Sequence, residues 1–348
     1  MAKVLQRTVV VASLATSMLV PLASSSQAQT LQQVHATSQV ATHLSSTMPL
    51  VRLNFTSPVS ATKLPALRTY PALATRWQQI SASAVQAVTL GAPTPAVSYT
   101  LTLPTSLQCG NTCTVTATHV IQTAVNVNVT WEDQLLAELN YLPVSFSPLV
   151  TTSLSSDQVP GVFKWRFASL PTSLSSQWSV GTDNMIVHGA LMNFQNIHSL
   201  PATGEIDPVT WNALVSAVDA HQMDPATYNY VDVVESSPET MTLYLNGVAK
   251  FRSLVNTGIP QSITALGTYP VYLRYTTQTM SGTNPNGTHY SDPGIPWVSY
   301  FNGGDALHGF IRASYGYPQS LGCVEMPFAA AGTVWPHTPI GTLVTVRS

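Results

Sequence analysis

The spacing of apolar residues changes along the chain and divides it into three segments. From residue 97 to residue 129 apolar and polar residues alternate, as in residues 99–103 and 125–129. This period of two is typical of β-strands. Because residues 29–129 are also rich in Ser, Thr and Ala, the first segment is predicted to be either a linker or a small β module.

The second segment, residues 130–222, has apolar residues at helical spacing. Residues 132–139 form one such stretch, which stops before Pro143, and residues 184–197 form another. Asp207 and Pro208 mark the start of a third helix, because Asp is favoured at a helix cap and Pro in the first turn. The pattern predicts a small bundle of helices.

The third segment, residues 228–348, returns to strand-like patterns. Asn246 and Gly247 separate two of them and are a strong hairpin signal. One short helix is predicted over residues 329–335. Repeated short strands with few helices predict a mainly-β sandwich or barrel. The predicted strands are residues 230–234, 241–245, 248–255, 268–275 and 342–346.

The first residues have the pattern of an export signal. Lys3 and Arg7 precede an almost uncharged apolar stretch, residues 8–23, and small residues lead to a cleavage position after Ala28. Residues 1–28 are therefore predicted to be a signal peptide. The mature protein would then be secreted, with no membrane span; an uncleaved anchor is the alternative.

Charge limits the possible partners. Only 8% of the 348 residues are charged and the net charge is -2, so the sequence argues against a nucleic-acid-binding protein. No acidic residue precedes Glu132. The change of composition supports a boundary near residue 130.

The three cysteines single out one thiol. Cys109 and Cys113 flank a Gly-Asn turn and are candidates for a local disulfide, which leaves Cys323 unpaired. His308 lies fifteen residues earlier and is a candidate base for that thiol. The backbone amides of Gly322 and Cys323 are candidates for holding an oxyanion. The alternative is that Cys323 is a small buried hydrophobic residue and His308 a structural strand histidine.

These residues give the third segment a resemblance to the YkuD-like catalytic domain of L,D-transpeptidases. The family signature is His-Gly, a short loop, then Ser or Thr, any residue, Gly and Cys. His308, Gly309, Ser320, Gly322 and Cys323 match it in order. Residues 243–247, 255–258 and 340–346 also resemble the family's first hairpin, the turn after it and its closing strand.

The resemblance implies a two-step acyl transfer on peptidoglycan stem peptides, without a metal or other cofactor. Cys323 would attack the third residue of a tetrapeptide stem and release D-alanine, with His308 as base and the Gly309 carbonyl orienting its ring. Capture by an amine gives a 3→3 cross-link or anchors a protein to the wall. Capture by water gives an L,D-carboxypeptidase, and loss of catalysis would leave a peptidoglycan-binding protein.

Three departures from the family pattern concern the substrate pocket or its support. Leu321 stands where His, Arg or Lys is common, and Glu325 stands where Arg or Asn is common. Residues 266–270 replace the usual Thr-Pro-x-Gly turn. Glu325 is predicted either to bind a cationic group of the stem or to pair with Arg312. Candidates for lining the substrate cleft are Tyr300, Tyr315 and Tyr317.

The helical segment resembles the peptidoglycan-binding module found beside wall enzymes, although a generic three-helix bundle is the alternative. The resemblance predicts a cell-wall-associated protein that contacts both glycan and stem peptides. A papain-like peptidase is disfavoured, because its cysteine usually precedes its histidine. The matching stretches are residues 135–143, 190–195, 198–200, 203–207 and 210–214.

Overall fold

The computed structural model describes part of the N-terminal region and everything from residue 128 onward. The predicted signal peptide, and Cys109 and Cys113, lie outside the described residues. Within the described part, no helix is both long and apolar enough to cross a bilayer. The described ranges are residues 34–38, 49–55, 58–90, 98–102, 106–108, 114–116, 120–124 and 128–348.

In the described part of the chain, nine strands precede the first α-helix. They form a four-stranded sheet in the order β1-β2-β5-β4, a three-stranded sheet β3-β6-β9 and a β7-β8 pair. A single 3₁₀ turn, Ala61–Lys63, lies among them. The strands are β1 Val34–Ser38, β2 Pro49–Phe55, β3 Arg68–Tyr70, β4 Thr75–Ser81, β5 Ala84–Thr89, β6 Ser98–Thr102, β7 Ser106–Gln108, β8 Thr114–Thr116 and β9 Val120–Ala124.

Of the two predictions for this region, the strands described over residues 49–55 and 58–89 favour a small β module over a linker. Leu50, Leu53 and Val85 are fully buried and belong to the same apolar cluster as the helices that follow. The strands begin well before residue 97, where the alternating pattern predicted them. β5 was missed because nearly all its residues are buried, so its apolar run has no period of two.

The helical region contains the three predicted helices. Asn128, Asn184 and Asp207 cap the N-termini of α1, α3 and α4 by accepting backbone N–H groups. Trp131 of α1 and Trp211 of α4 meet edge to face at 4.9 Å. Whether the region is a peptidoglycan-binding module stays a prediction. Its elements are α1 Val129–Glu138, β10 Val144–Pro148, β11 Gly161–Trp165, α2 Thr172–Ser175, α3 Met185–Ile197 and α4 Pro208–Asp219.

The C-terminal region is mainly β, as predicted. One sheet has the order β14-β13-β12-β20-β15 and the other β16-β17-β18-β19. The short predicted helix is α5, Phe328–Val334, followed by a 3₁₀ turn, Trp335–His337. The strands are β12 Asn229–Val234, β13 Thr240–Leu245, β14 Val248–Leu254, β15 Gly267–Pro270, β16 Leu273–Thr283, β17 His289–Asn302, β18 Asp305–Gly309, β19 Val324–Met326 and β20 Leu343–Arg347.

The strand predicted over residues 268–275 is in fact two strands that belong to different sheets. The amide of Val271 donates to Thr342 beside the first sheet, whereas the next amide, that of Tyr272, donates to Tyr300 in the second. The chain therefore crosses between the sheets at this point. The apolar core between them includes Val231 and Leu243 of the first sheet and Leu307 of the second.

Candidate active site

Two neighbouring strands bring His308 and Cys323 to one cavity. β18 and β19 are parallel, with Leu307 opposite Val324 and His308 opposite Glu325. Cys323 directly precedes β19, and its sulfur accepts a hydrogen bond from the Ala306 amide. Both His308 and Cys323 line a cavity of about 1000 Å³. The loop between the two strands thus lets residues distant in sequence face the same space.

The imidazole of His308 is held in one tautomer. Its ring is almost fully buried, and Nδ1 lies 3.1 Å from the carbonyl oxygen of Gly309. A carbonyl can only accept, so Nδ1 carries the proton and Nε2 keeps its lone pair. Burial lowers the pKa of His308. The ring is therefore a neutral base near neutral pH, and the contact with Gly309 is the one that the family resemblance implies.

The thiol of Cys323 is protonated in the resting structure. Burial raises its pKa to about 12, and the carboxylates of Asp305 and Glu325 act in the same direction. The side chain is only partly buried and remains accessible from the cavity. Its sulfur lies 3.6 Å from the Gly304 carbonyl oxygen. The site therefore holds a neutral thiol and a neutral imidazole rather than a preformed ion pair.

The turn that precedes the thiol is stabilised by Ser320. Its hydroxyl donates to the Cys323 carbonyl at 2.5 Å and accepts the Gly322 amide at 3.2 Å. The Gly322 amide, one of the two predicted candidates for holding an oxyanion, therefore donates to Ser320 in this structure, and its role stays a prediction. Gly322 has φ +118°, and a Cβ there would lie 2.5 Å from Oδ1 of Asp305. Both facts restrict this position to glycine.

The buried carboxylate of Glu239, which the sequence did not predict, supports this turn through Thr257. Glu239 is 1% exposed and accepts the Thr257 amide at 2.7 Å and the Thr257 hydroxyl at 2.8 Å. The Thr257 carbonyl in turn accepts the Ser320 amide at 2.9 Å. Glu239 follows Ser237 and Pro238, a context that indicates an exposed turn, so no pattern pointed to it.

Glu325 pairs with Arg312, as one of the two sequence alternatives proposed. Two bonds of 2.7 Å join the guanidinium to the carboxylate, and Arg312 also lies over the Phe310 ring at 4.6 Å. Both charged side chains line the cavity. The Glu325 carboxylate is therefore already neutralised and is not free to bind a cationic group.

The three candidate tyrosines are separated by the structure. Tyr300 lines the cavity, but Tyr315 and Tyr317 do not. The Tyr315 hydroxyl donates to the Phe310 carbonyl at 2.6 Å, and that of Tyr317 lies 2.8 Å from the Ser314 hydroxyl. These two tyrosines hold the loop between β18 and β19 together.

The long β16-β17 hairpin supplies one wall of the cavity that the sequence did not predict. Met280, Tyr290 and Asp292 are among its lining residues. No residue of β16 is buried and only four of the 14 residues of β17 are, so the hairpin lacks a buried face with a regular alternation. Among the residues that the structure describes, no cluster of three or more His, Cys, Asp or Glu side chains is arranged to hold a metal ion.

The part of the chain that forms this cavity matches a known protein family. Residues 228–346 match the family model of the L,D-transpeptidase catalytic domain, YkuD. No curated protein matches the chain significantly.

Three solved structures illustrate the likeness. The catalytic domain of the E. faecium L,D-transpeptidase is 24% identical and covers 34% of this chain and 95% of its own, with a TM-score of 0.31. An L,D-transpeptidase from Mycobacterium smegmatis is 11% identical and covers 91% and 99%, with a TM-score of 0.32. L,D-transpeptidase 3 from Mycobacterium tuberculosis, with a faropenem-derived adduct, is 12% identical and covers 89% and 94%, with a TM-score of 0.32.

Proposed function

Because residues 228–346 match the family model of the L,D-transpeptidase catalytic domain, we propose that this protein forms 3→3 peptidoglycan cross-links through a thioester on Cys323. The observation that carries the proposal is the shared cavity of His308 and Cys323, with the Gly309 carbonyl fixing the His308 tautomer. This arrangement supplies a nucleophile and a base on the walls of one cavity.

The first step acylates the thiol. Nε2 of His308 takes the proton of Cys323 as the sulfur attacks the carbonyl carbon of the third stem residue. The Cys323 amide is the remaining candidate from the turn for holding the oxyanion, since Ser320 occupies the Gly322 amide. The C–N bond then breaks, and D-alanine leaves with the proton that His308 held.

The second step releases the acyl group. A side-chain amine of a neighbouring stem attacks the thioester, His308 takes the amine proton, and the thiol is restored. An amine of a wall-anchored protein would react in the same way, and water would give a carboxypeptidase. Because the thiol and the imidazole both begin neutral, the proton moves from Cys323 to His308 only when a substrate carbonyl is in place. The thiolate is therefore not available for side reactions in the absence of substrate.

The rest of the chain suits the same role. We propose that residues 1–28 direct export and are removed, and that residues 130–222 bind the wall beside the catalytic domain. The domain family acts on cell-wall peptidoglycan, which supports an extracytoplasmic, wall-associated location.

The test is incubation of the purified protein with a disaccharide-tetrapeptide, followed by mass spectrometry of the products. A Cys323→Ala variant is the control for the nucleophile. We expect loss of D-alanine together with dimer formation, and neither with the variant. Loss of D-alanine without dimers would indicate a carboxypeptidase. Absence of any Cys323-dependent product, with stems of more than one diamino acid, would support a catalytically inactive wall-binding protein instead.

A further inference from the structure

A second, smaller cavity lies where the helical region meets the catalytic domain. It has a volume of about 180 Å³ and is separate in its lining from the cavity of Cys323. Helix α3 contributes Asn193, Asn196 and Ile197, which are spaced to lie on one face. The loops at residues 224–229 and 339–342 close the other sides. Its size suits one small ring rather than a drug-sized ligand.

Tyr141 lies at this cavity with an unused hydroxyl. The side chain is only 3% exposed and packs edge to face on Phe194 with ring centroids 5.3 Å apart. Among the described residues its hydroxyl has no hydrogen-bond partner. Tyr141 is one of the lining residues, and burial and the carboxylate of Asp224, another lining residue, both raise the pKa of its hydroxyl. Buried hydroxyls are nearly always paired, so this group is available to a ligand or to water.

Side-chain amides provide further hydrogen-bonding groups. Asn193 makes only a long contact, 3.5 Å, from its Nδ2 to Asp224, which leaves its amide oxygen free within the described contacts. Asn196 is exposed at the rim and its amide has no partner among the described residues. Ile197, 51% exposed, adds an apolar surface beside them. Amides next to an apolar face suit a sugar, which has hydroxyl edges and a CH face.

The charge of the cavity favours an uncharged ligand. Apart from its two tyrosines, the one ionisable group among the described lining residues is Asp224, which is 9% exposed. Arg166 lies close enough to Asp224 to affect its own ionisation, but it donates to the carbonyls of Asn140 and Leu142 and does not line the cavity. A carboxylate-bearing stem peptide would meet a negative group with no lining cation.

The cavity is built into a rigid junction. A Cβ on Gly341 would lie 2.2 Å from the Gly189 carbonyl oxygen, so α3 and the loop before β20 are in direct backbone contact. A Cβ on Gly189 would likewise lie 2.6 Å from the Gly341 carbonyl oxygen. The two walls therefore hold their positions without a ligand, which reduces the entropic cost of binding.

We propose that this cavity binds a single uncharged N-acetylated sugar unit, through the Tyr141 hydroxyl and the amides of Asn193 and Asn196. The acetamido group would pair with the amides and its methyl group would lie against Ile197. The inference that the sugar belongs to a cell-wall glycan rests on the proposed function. The inference that the cavity binds the sugar does not.

The experiment is a calorimetric titration of the full chain carrying Cys323→Ala with N-acetylglucosamine. We expect a dissociation constant of about 1 mM, since a ligand of this size in a small site binds weakly. Glucose, which lacks the acetamido group, should bind more weakly still. Tyr141→Phe keeps the ring and removes the hydroxyl, and we expect it to weaken binding about 3- to 10-fold. Asn193→Ala should act similarly.

The control is Asn212→Ala, which changes an exposed asparagine on α4 outside the cavity and should leave binding unchanged. Absence of saturable binding, or binding that Tyr141→Phe and Asn193→Ala do not weaken, would overturn the proposal. So would tighter binding of a free tetrapeptide that these variants weaken. Release of D-alanine by the unmodified protein is scored separately, so either proposal can fail while the other stands.

Discussion

Buried acidic groups are treated differently in the catalytic domain and in the helical region. In the catalytic domain each has a partner: Glu325 pairs with Arg312, Asp232 with Arg347, and Glu239 with the amide and hydroxyl of Thr257. Such pairing offsets part of the cost of burying a carboxylate. The buried carboxylates of this domain are therefore held in place by charged or hydrogen-bonding partners.

The helical region instead buries two adjacent carboxyl groups with little compensation. Glu132 is 6% exposed and has no hydrogen-bond partner among the described residues. Asp133 is fully buried and accepts only the Gly181 amide, at 2.8 Å, while its other oxygen has no partner. Burial raises the pKa of Glu132 to about 8 and that of Asp133 to about 7. Both groups are therefore accommodated best in their neutral forms.

This difference means that pH affects catalysis and folding stability through different regions of the protein. The catalytic domain carries the reacting groups and keeps its carboxylates paired. The helical region carries no proposed reacting group, but its folding depends on protonation. Changes of pH should accordingly act on activity through His308 and on folding through Glu132 and Asp133.

The largest effect should follow from removing the base. His308→Ala is expected to lower kcat about 10²- to 10⁴-fold, the usual range for a general base. His198, which directly follows α3, is the matched control, because burial lowers its pKa too, yet it lies in the helical region. His198→Ala should leave kcat unchanged in a D-alanine release assay, with circular dichroism confirming that both variants fold.

The pH profile of the unmodified enzyme gives a second test of the role of His308. The base must be neutral, and burial lowers the pKa of His308. The acidic limb of kcat/KM should therefore lie below pH 6.5, the ordinary value for histidine. An acidic limb well above that value would contradict the assignment.

The next largest effect concerns folding. Between pH 4.5 and 8 the folded protein binds more protons than the unfolded chain, because the pKa of Glu132 rises from 4.5 to about 8 on folding. The free energy of unfolding should therefore be highest below pH 4.5 and fall as the pH rises through this window. The expected fall is about 3 kcal/mol, below the full value for such a shift because the site can relax.

Urea unfolding at several pH values, followed by circular dichroism, would measure this fall. Glu132→Gln should reduce it, since the amide has no proton to lose. Asn212→Ala, which removes an exposed amide of α4 and no ionisable group, is the contrasting variant and should leave the slope with pH unchanged. A stability that rises between pH 4.5 and 8 would show that the carboxyl groups of the helical region are compensated by other groups.

The same contrast explains which features the sequence could predict. Local rules were sufficient for the helices: Asn184 and Asp207 are capping residues, and the apolar positions repeat at helical spacing. The hairpin at Asn246 and Gly247 was also predictable, since both residues adopt a positive φ. These features depend only on residues near each other in the chain.

Features that depend on tertiary contacts were not predictable. Ser320 occupies the Gly322 amide, and Glu239 is buried against Thr257, because distant segments meet there. The β16-β17 hairpin has too few buried residues to show an alternating pattern. For the site itself, the signature around His308 and Cys323 located the cavity, but its walls come from segments without any motif.

A smaller effect should come from breaking the ion pair at the cavity. Glu325→Gln leaves Arg312 with one fewer charged partner in a site where the carboxylate is 6% exposed. The expected loss is about 2 kcal/mol of unfolding free energy, less than for a fully buried pair because Arg312 is 30% exposed. Asp232→Asn is the matched control, since its partner Arg347 is 48% exposed, and its loss should be smaller. Equal losses would contradict this ranking.

The smallest effect should be that of Glu239→Gln, which tests whether the buried carboxylate positions the thiol. Glutamine keeps one acceptor for Thr257 but replaces the other with a donor, so about 1 kcal/mol of hydrogen bonding is lost. The turn at Ser320 should then hold Cys323 less firmly, and kcat should fall about 3- to 10-fold with KM nearly unchanged. Glu239→Ala should be worse than Glu239→Gln, because it removes both acceptors. A change in KM alone, or a loss of stability without a change in kcat, would restrict Glu239 to a structural role. The hydrogen bonds from Glu239 through Thr257 to Ser320 would then not affect the position of the Cys323 sulfur.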